Sequence, residues 1–300
     1  MERIGFIGLG RMGRPMASNL QRKGFSLVVL DVRPEPIGEL VALGARAAVD
    51  TADLVRHSDI IVTMLPSSSE VLAVVLGPGG VLEHAGAGQL VLDMSTIEPE
   101  ATDRMASTAV KKKVALVDAP VGRLASHADR GESLFMVGAQ ASDFIRVRPL
   151  LDAMGTTVLH CGDVGAGVRM KLVNNYMAIV SCQLNAEALA LSQRFGLSLE
   201  KTLAVLNGTT AYNGQLQLNW PTKSLVGDTS PGFTIDLAHK DLSLIMSAAN
   251  SARVPMPLGA AAREMFSLAR AGKYGGRDFS AMGDMLCEII GVDKPRLPKK

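Results

Sequence analysis

The stretch Ile4-Gly5-Phe6-Ile7-Gly8-Leu9-Gly10-Arg11-Met12-Gly13 decides how the first half of this 300-residue chain folds. Its first four residues are largely apolar and predict a buried strand, and the amphipathic segment that follows, ending near Gly24, predicts a helix. In such a unit the first glycine permits a tight turn, the second lets the backbone approach a pyrophosphate, and the third lets helix and strand pack closely. The N–H groups at the helix start then stabilise the anion.

A second predicted strand supports a dinucleotide site. The strand over 27–30 ends at Asp31, about 23 residues after Gly8, where a carboxylate can accept hydrogen bonds from both hydroxyls of an adenosine ribose. Asp31 would repel a 2′-phosphate and therefore favours NAD(H) over NADP(H), although Arg33 could pair with such a phosphate. The predicted cofactor-binding residues of this unit are Gly8, Gly10, Arg11, Met12, Gly13 and Asp31.

Strands and helices go on alternating as far as His160 and extend the predicted parallel sheet. Leu65 follows one buried strand, and Ser95 and Thr96 follow the next. Because ligands of open parallel sheets bind at the carboxyl ends of the strands, we expect Leu65 and Thr96 to contact the cofactor and Ser95 to contact the substrate. A helix cap is an alternative role for the two hydroxyls.

The second half of the sequence is helical in pattern and begins with an uninterrupted helix over 168–194. Its apolar residues occupy several faces, which predicts burial on most sides. Lys171, Asn174 and Asn175 share one narrow strip, because residues three and four apart lie on the same helix face. Lysine is seldom buried without a partner, so we interpret Lys171 as the proton-transfer residue of an active site where two domains meet. Asn175 would orient Lys171 or a carbonyl oxygen, and Asn174 would help to hold the substrate.

These patterns predict an α/β chain in three parts. Residues 1–163 form a Rossmann domain with a parallel sheet, residues 164–291 form an all-helical domain for substrate binding and oligomerisation, built on the long inter-domain helix, and residues 292–300 form a loose basic tail. A net charge of +2, from 31 basic and 29 acidic residues, gives no electrostatic reason for a nucleic-acid or membrane partner. The three cysteines and five histidines are scattered, so their spacing predicts no metal site. The few, unpaired cysteines indicate reduced thiols and therefore a reducing compartment. Together with a start that lacks signal-peptide features, this predicts a cytoplasmic protein.

Five motifs together resemble the 3-hydroxyacid dehydrogenase family over essentially the whole chain: Gly5–Gly13, Asp93–Thr96, Asp118–Val121, Gly165–Gly167 with Lys171 and Asn175, and Ala238–Leu242. The resemblance implies reversible hydride transfer between NAD(H) and the primary alcohol of a small anionic molecule, with Lys171 as general acid and base. It also implies a homo-oligomer, either a dimer or a tetramer, and a place near the nicotinamide for Lys240. Judged without the resemblance, Lys240 would be a surface helix lysine.

One departure from the common family pattern concerns the substrate. Common members have Pro-Val-Ser-Gly-Gly where this chain has Pro120-Val121-Gly122-Arg123-Leu124. In this respect the sequence resembles the branch that reduces 3-sulfolactaldehyde, a sulfonated aldehyde. The resemblance implies that Gly122 and Arg123 bind the substrate, with the five N–H donors and permanent charge of the guanidinium clamping the sulfonate. Ala178 departs from this branch, where the corresponding residue is serine.

Other functions stay open at this point. The substrate could be a carboxylate, such as 3-hydroxyisobutyrate, tartronate semialdehyde or 4-hydroxybutyrate, which Arg123 could also hold. Imine reductases share the scaffold but usually lack the lysine, so Lys171 argues against that reaction. A module that senses NAD(H) without turnover is a third possibility, and the presence of both Lys171 and Asn175 argues against it.

Overall fold

The computed structural model describes residues 2–298, and the chain divides into two compact units, Met1–Lys171 and Leu172–Lys300. The first unit contains a nine-stranded sheet. The strands are β1 (Arg3–Ile7), β2 (Ser26–Leu30), β3 (Arg46–Ala47), β4 (Ile60–Thr63), β5 (Leu90–Asp93), β6 (Ala115–Asp118), β7 (Val121–Gly122), β8 (Ser133–Gly138) and β9 (Gly155–Gly162). The helices of this unit are α1 (Gly13–Arg22), α2 (Pro34–Ala42), α3 (Thr51–Arg56), α4 (Ser68–Leu76), α5 (Val81–His84), α6 (Pro99–Lys111), α7 (Ala125–Asp129) and α8 (Ala141–Met154).

Six strands of the sheet have the arrangement of a Rossmann fold. They follow the order β3-β2-β1-β4-β5-β6 and are all parallel, which is the order of doubly wound dinucleotide-binding domains. Successive residues of β1 lie in two different apolar clusters, with Phe6 in one and Ile7 in the other, because successive side chains of a strand point to opposite faces of the sheet. The sheet is therefore covered on both faces, and the predicted Rossmann fold is confirmed.

One edge of the sheet differs from the predicted parallel arrangement. Strand β8 is antiparallel to both β6 and β7, and β9 is parallel to β8. A parallel neighbour needs a crossover connection of about a dozen residues or more, usually an α-helix. The chain between β7 and β8 contains only the five-residue α7, so an antiparallel return satisfies the backbone groups with the shorter path.

A single helix, α9 (Ala166–Arg194), begins in the first unit and continues into the second. The further helices of the second unit are α10 (Leu199–Asn207), α11 (Ile235–Ser251), α12 (Pro257–Ala271) and α13 (Met282–Ile290). Between α10 and α11 a π-helical segment, Gln215–Asn219, leads into a 3₁₀ turn at Trp220–Thr222. The core of this unit includes Trp220, Leu242 and Phe266, whose side chains are completely buried.

The predicted burial of α9 on most sides is wrong for one stripe of the helix. Val173, Met177, Leu184 and Leu191 are 53–63% exposed. Their separations of four and seven residues place them on one helix face. A different set, including Leu172, Ile179 and Leu189, is buried in the core of the second unit. The helix therefore has two apolar faces, of which this structure covers one.

The predicted loose tail is held in place over part of its length. The Arg296 guanidinium forms an ion pair with the buried Asp284 carboxylate at 2.7 Å, and the Leu297 N–H donates to the Leu225 carbonyl at 2.8 Å. Lys299 and Lys300, the last two residues of that prediction, lie outside the described residues. Within residues 2–298 no helix is both long and apolar enough to cross a lipid bilayer.

Candidate active site

The three glycines of the loop after β1 have different surroundings. Two of them pack against backbone atoms, and the third faces open space. Gly8 has a left-handed backbone with φ of 97°, and a Cβ there would collide with the Met64 carbonyl. A Cβ on Gly13 would collide with the Gly8 carbonyl, so this glycine lets α1 meet the loop. At Gly10 a Cβ would meet no atom of the described residues within 4 Å. The loop therefore leaves room for a pyrophosphate beside Gly10, as the motif predicts.

Asp31, directly after β2, is tied to this loop. Its Oδ2 accepts a hydrogen bond from the Leu9 N–H at 2.6 Å, and its Oδ1 accepts one from the Arg33 N–H at 2.8 Å. The Arg33 guanidinium stays close, with Nε 3.4 Å from the same carboxylate. The carboxylate therefore stands beside the loop, where the ribose of a dinucleotide would lie. These residues fit the predicted cofactor.

Ser95 has a different environment from the predicted substrate contact. It is 1% exposed, and its Oγ accepts a hydrogen bond from the Leu65 N–H at 3.0 Å. Its own N–H donates to Asp93 at 3.2 Å, and the Thr63 hydroxyl donates to the same Asp93 oxygen at 2.7 Å. Ser95 thus holds the Leu65 loop in the structure. The alternative role as a helix cap is wrong, because the residue before α6 is Glu98.

Lys171 lies in the first unit and is 9% exposed. Its Nζ donates to the Val121 carbonyl of β7 at 2.7 Å. An ammonium group has three N–H donors, so this contact is compatible with further acceptors around Nζ. The helix that the sequence predicted therefore directs its lysine back to the carboxyl end of the sheet in the same unit.

Asp118, the last residue of β6, is a functional candidate that sequence reasoning missed. Its carboxylate is buried and accepts hydrogen bonds from the Gly165 N–H at 2.6 Å and the Val168 N–H at 2.7 Å, at the start of α9. Burial raises the pKa of Asp118 to about 6, against the lowering effect of these two hydrogen bonds. The only sequence signal was its place in the Asp118–Val121 motif, where no role was given to it.

Arg123 adopts a backbone conformation that usually selects glycine. Its φ is 71°, and the left-handed region costs a non-glycine residue roughly 1–2 kcal/mol. Its guanidinium donates to the Glu132 carbonyl, to Thr156 Oγ1 at 2.8 Å and to Thr157 Oγ1 at 3.2 Å. The side chain is therefore held along the edge of β9, and its predicted role as a sulfonate clamp stays a prediction.

In the second unit, hydrogen bonds and an ion pair join three predicted site residues into one network around Asp241. Asn175 Nδ2 donates to the buried Asp241 at 2.6 Å, Asn174 Nδ2 donates to Asn175 Oδ1 at 3.0 Å, and the Lys240 ammonium is 3.0 Å from Asp241. Because an ionised carboxylate only accepts, Asp241 fixes which way the Asn175 amide points. Sequence reasoning missed this role of Asp241, although the residue is part of the Ala238–Leu242 motif.

Comparison with known proteins decides the family. A family profile described as the NAD binding domain of 6-phosphogluconate dehydrogenase matches residues 3–162. A second, described as NAD-binding of NADP-dependent 3-hydroxyisobutyrate dehydrogenase, matches residues 165–286. The chain is 44% identical to 3-sulfolactaldehyde reductase of Escherichia coli strain K12, over 97% of this chain and 98% of that protein. The chain belongs to the 3-hydroxyacid dehydrogenase family.

Other relatives agree with membership of the 3-hydroxyacid dehydrogenase family. The chain is 37% identical to 2-(hydroxymethyl)glutarate dehydrogenase of Eubacterium barkeri, over 97% of this chain and 96% of that protein. The solved structure of Mycobacterium tuberculosis 3-hydroxyisobutyrate dehydrogenase with L-serine matches with a TM-score of 0.88 at 31% identity, over 95% of this chain and 99% of that one. The predicted oxidoreductase class and NAD(H) cofactor are thereby confirmed, whereas the roles of single residues stay predictions.

Proposed function

We propose that this 3-hydroxyacid dehydrogenase reduces 3-sulfolactaldehyde to 2,3-dihydroxypropane-1-sulfonate with NADH, reversibly. The observation that supports this most directly is that two cationic residues, Lys171 and Arg123, are both attached to the short strand β7. The Lys171 ammonium binds the Val121 carbonyl of that strand, and Arg123 follows the strand directly. A proton donor and an anion-binding group therefore belong to the same few residues. The identity to 3-sulfolactaldehyde reductase of Escherichia coli supports the choice of anion.

The chemistry of the reaction is divided between cofactor and protein. When bound, the reduced nicotinamide supplies a hydride to the aldehyde carbon. The Lys171 ammonium protonates the oxygen on which negative charge develops, and in the reverse direction the neutral amine removes the alcohol proton. General acid and base catalysis of this kind contributes roughly 10²–10⁴-fold to the rate. Asn175 orients the reacting groups and Asn174 helps to hold the substrate.

The cofactor is held by residues of the sheet edge. The loop at Gly10 and the start of α1 receive the pyrophosphate, and the Asp31 carboxylate receives the ribose hydroxyls. Leu65 and Thr96 contact the cofactor from the loops after β4 and β5, and the family resemblance implies a cofactor-binding role for Lys240. Asp31 favours NADH over NADPH because its charge repels a 2′-phosphate.

The Arg123 guanidinium has N–H donors beyond those that bind other parts of the protein, and these can bind the substrate. Nη1 donates to the Glu132 carbonyl and to Thr156 Oγ1, and Nη2 donates to Thr157 Oγ1. These three contacts do not use all five N–H donors of a guanidinium. Nε–H and the second Nη2–H can then form a bidentate contact with two oxygens of an anion. A sulfonate offers three such oxygens in a tetrahedral arrangement. The threonines of β9 would thus orient the guanidinium for this contact.

A panel of small anionic aldehydes tests the proposal. We expect NADH oxidation with 3-sulfolactaldehyde to have a higher kcat/KM than with succinic semialdehyde or tartronate semialdehyde. In Arg123→Ala we expect the KM for the sulfonate to rise roughly 10–100-fold, since a hydrogen bond to a charged group is worth about 1.5–3 kcal/mol. An unchanged KM in that variant, or a preference for a carboxylate substrate, would contradict the assignment. Absence of hydride transfer with every aldehyde would favour an NAD(H)-sensing module instead.

We further infer that the chain self-associates as a dimer or tetramer. The support is the exposed stripe of α9 formed by Val173, Met177, Leu184 and Leu191. A repeat of four and seven residues is the spacing by which helices pack against one another, and large apolar side chains in a row favour burial.

A further inference from the structure

We propose that Asp118 is a positioning residue for Lys171, because its carboxylate fixes the first turn of α9 and the lysine reaches the sheet edge from the next turn. This inference rests on the proposed function, in which Lys171 transfers the proton. Asp118 itself contacts no reacting atom in this scheme. It acts through the backbone of the helix.

The backbone N–H groups at the start of α9 find their acceptor outside the helix. The first N–H groups of any helix have no carbonyl partner within the helix. Here Oδ1 of Asp118 accepts from Gly165 and Oδ2 accepts from Val168, although Asp118 precedes these residues by 47 and 50 positions. Both carboxylate oxygens are therefore used to attach α9 to the end of β6.

The start of α9 packs closely against β8 and the end of β6. A Cβ on Gly138 of β8 would overlap Asp118 Oδ1 and lie 2.8 Å from the Gly167 nitrogen. A Cβ on Gly167 would lie 2.9 Å from Asp118 Oδ2 and would overlap the Met136 carbonyl. Since only glycine fits at both places, the helix start and the two strands meet without side chains between them. Little space is left for the helix start to shift.

Lys171 lies about one turn further along α9 than this attachment. Val168 and Lys171 are three residues apart and therefore share a helix face. The Lys171 ammonium binds the carbonyl of Val121, which lies three residues after Asp118. The short segment 118–121 thus holds α9 at two points, one on the backbone and one on the ammonium. A change at the backbone contact of Asp118 would therefore alter where the Lys171 ammonium can reach.

The cost of burying Asp118 argues for a role beyond stability. The residue is 1% exposed, and Asp93 faces it in register on the neighbouring strand β5. Cys161 of β9 and Arg169 of α9 also interact with it electrostatically. Burial raises the pKa of Asp118 to about 6. The free energy of unfolding therefore falls as the pH rises from the ordinary pKa of an aspartate through this raised value. A neutral acceptor would avoid this cost, whereas an ionised one binds both N–H groups more strongly.

The test compares Asp118→Asn with Asp93→Asn. The two carboxylates are equally buried and lie opposite each other, but Asp93 contacts Thr63 and Ser95 rather than α9. In Asp118→Asn, an amide N–H must face one of the two helix N–H groups. We expect kcat to fall roughly 10–100-fold, because a misplacement of about 1 Å can cost about 10²-fold in rate. We expect NADH affinity to stay unchanged, and amide hydrogen exchange over residues 163–171 to become faster.

In Asp93→Asn we expect exchange over residues 163–171 to match the wild type, with any kinetic effect in the KM for NADH. The proposal is overturned by a wild-type kcat in Asp118→Asn, or by a lower kcat with unchanged exchange over that segment. If Asp118→Asn does not fold, Asp118→Ser, which retains one oxygen acceptor, must give the same two results. If the wild type transfers no hydride, the proposed function fails, and the exchange data still decide whether Asp118 holds the helix start.

Discussion

Asp241 illustrates how one buried side chain can determine the orientation of several polar groups. Its carboxylate binds the Asn175 amide on one oxygen and the Lys240 ammonium on the other. Asn175 in turn accepts from Asn174. Replacing this carboxylate by an amide would remove its negative charge and one of its two acceptor oxygens, so Asn175 and the Lys240 ammonium could no longer both bind a carboxylate oxygen.

We therefore expect Asp241→Asn to lower kcat by roughly tenfold or more, since a hydrogen bond to a charged group is worth about 1.5–3 kcal/mol. The matched control is Asp236→Asn on the same helix. The Asp236 side chain is 53% exposed and pairs with Arg270, so this variant should retain wild-type kinetics. Steady-state rates at saturating NADH measure the difference. Equal rates in the two variants would show that the Asp241 carboxylate has no part in the reaction.

For single residues, the sequence predicts neighbours on the same helix better than contacts between residues that are distant in the chain. The spacing of Lys171, Asn174 and Asn175 placed them on one helix, as observed. The pairing of Asn175 with Asp241 joins residues 66 positions apart, and no local pattern encodes it. The left-handed backbone of Arg123 also depends on the turn after β7, which the sequence does not specify.

At the scale of elements, the strand, glycine turn and helix at the start of the chain show which glycines serve packing and which serve a ligand. Gly13 touches the backbone of the loop itself, whereas Gly10 faces open space among the described residues. The same residue type is therefore required for two different physical reasons.

We expect Gly10→Ala to weaken NADH binding and leave the thermal unfolding midpoint near that of the wild type. Gly13→Ala should lower the free energy of unfolding by about 1–3 kcal/mol, because the added methyl group overpacks the loop. Thermal melts and NADH fluorescence titrations measure the two effects. The opposite assignment, with Gly10→Ala unstable and Gly13→Ala neutral, would contradict the packing described for this loop.

Elements with uniform apolar runs were predicted closely. The strand predicted over 27–30 is observed as Ser26–Leu30, and the long helix predicted over 168–194 is observed as Ala166–Arg194. The antiparallel direction of β8 was not predicted, because strand direction depends on the connection rather than on the strand's own residues. The exposed stripe of α9 was also not predicted, since apolar residues signal burial without naming the surface that covers them.

At the scale of the whole molecule, the chain consists of two compact units, each with its own apolar core. The sequence predicted a boundary between residues 163 and 164, just before α9. The compact units of the structure divide within α9, between Lys171 and Leu172. The helix start that carries Lys171 therefore belongs with the glycine loop and with Arg123, since Asp118 and the Val121 carbonyl attach it to the sheet.

Turnover of Lys171→Ala, measured together with its NADH affinity, tests the proposed chemistry most directly. We expect kcat with 3-sulfolactaldehyde to fall by at least about 10²-fold, the contribution typical of a general acid. NADH affinity should be unchanged, because the glycine loop and Asp31 are intact. Lys201→Ala, which removes an exposed lysine of α10, should behave as the wild type. Wild-type turnover in Lys171→Ala would contradict the assignment of this lysine as the proton-transfer group.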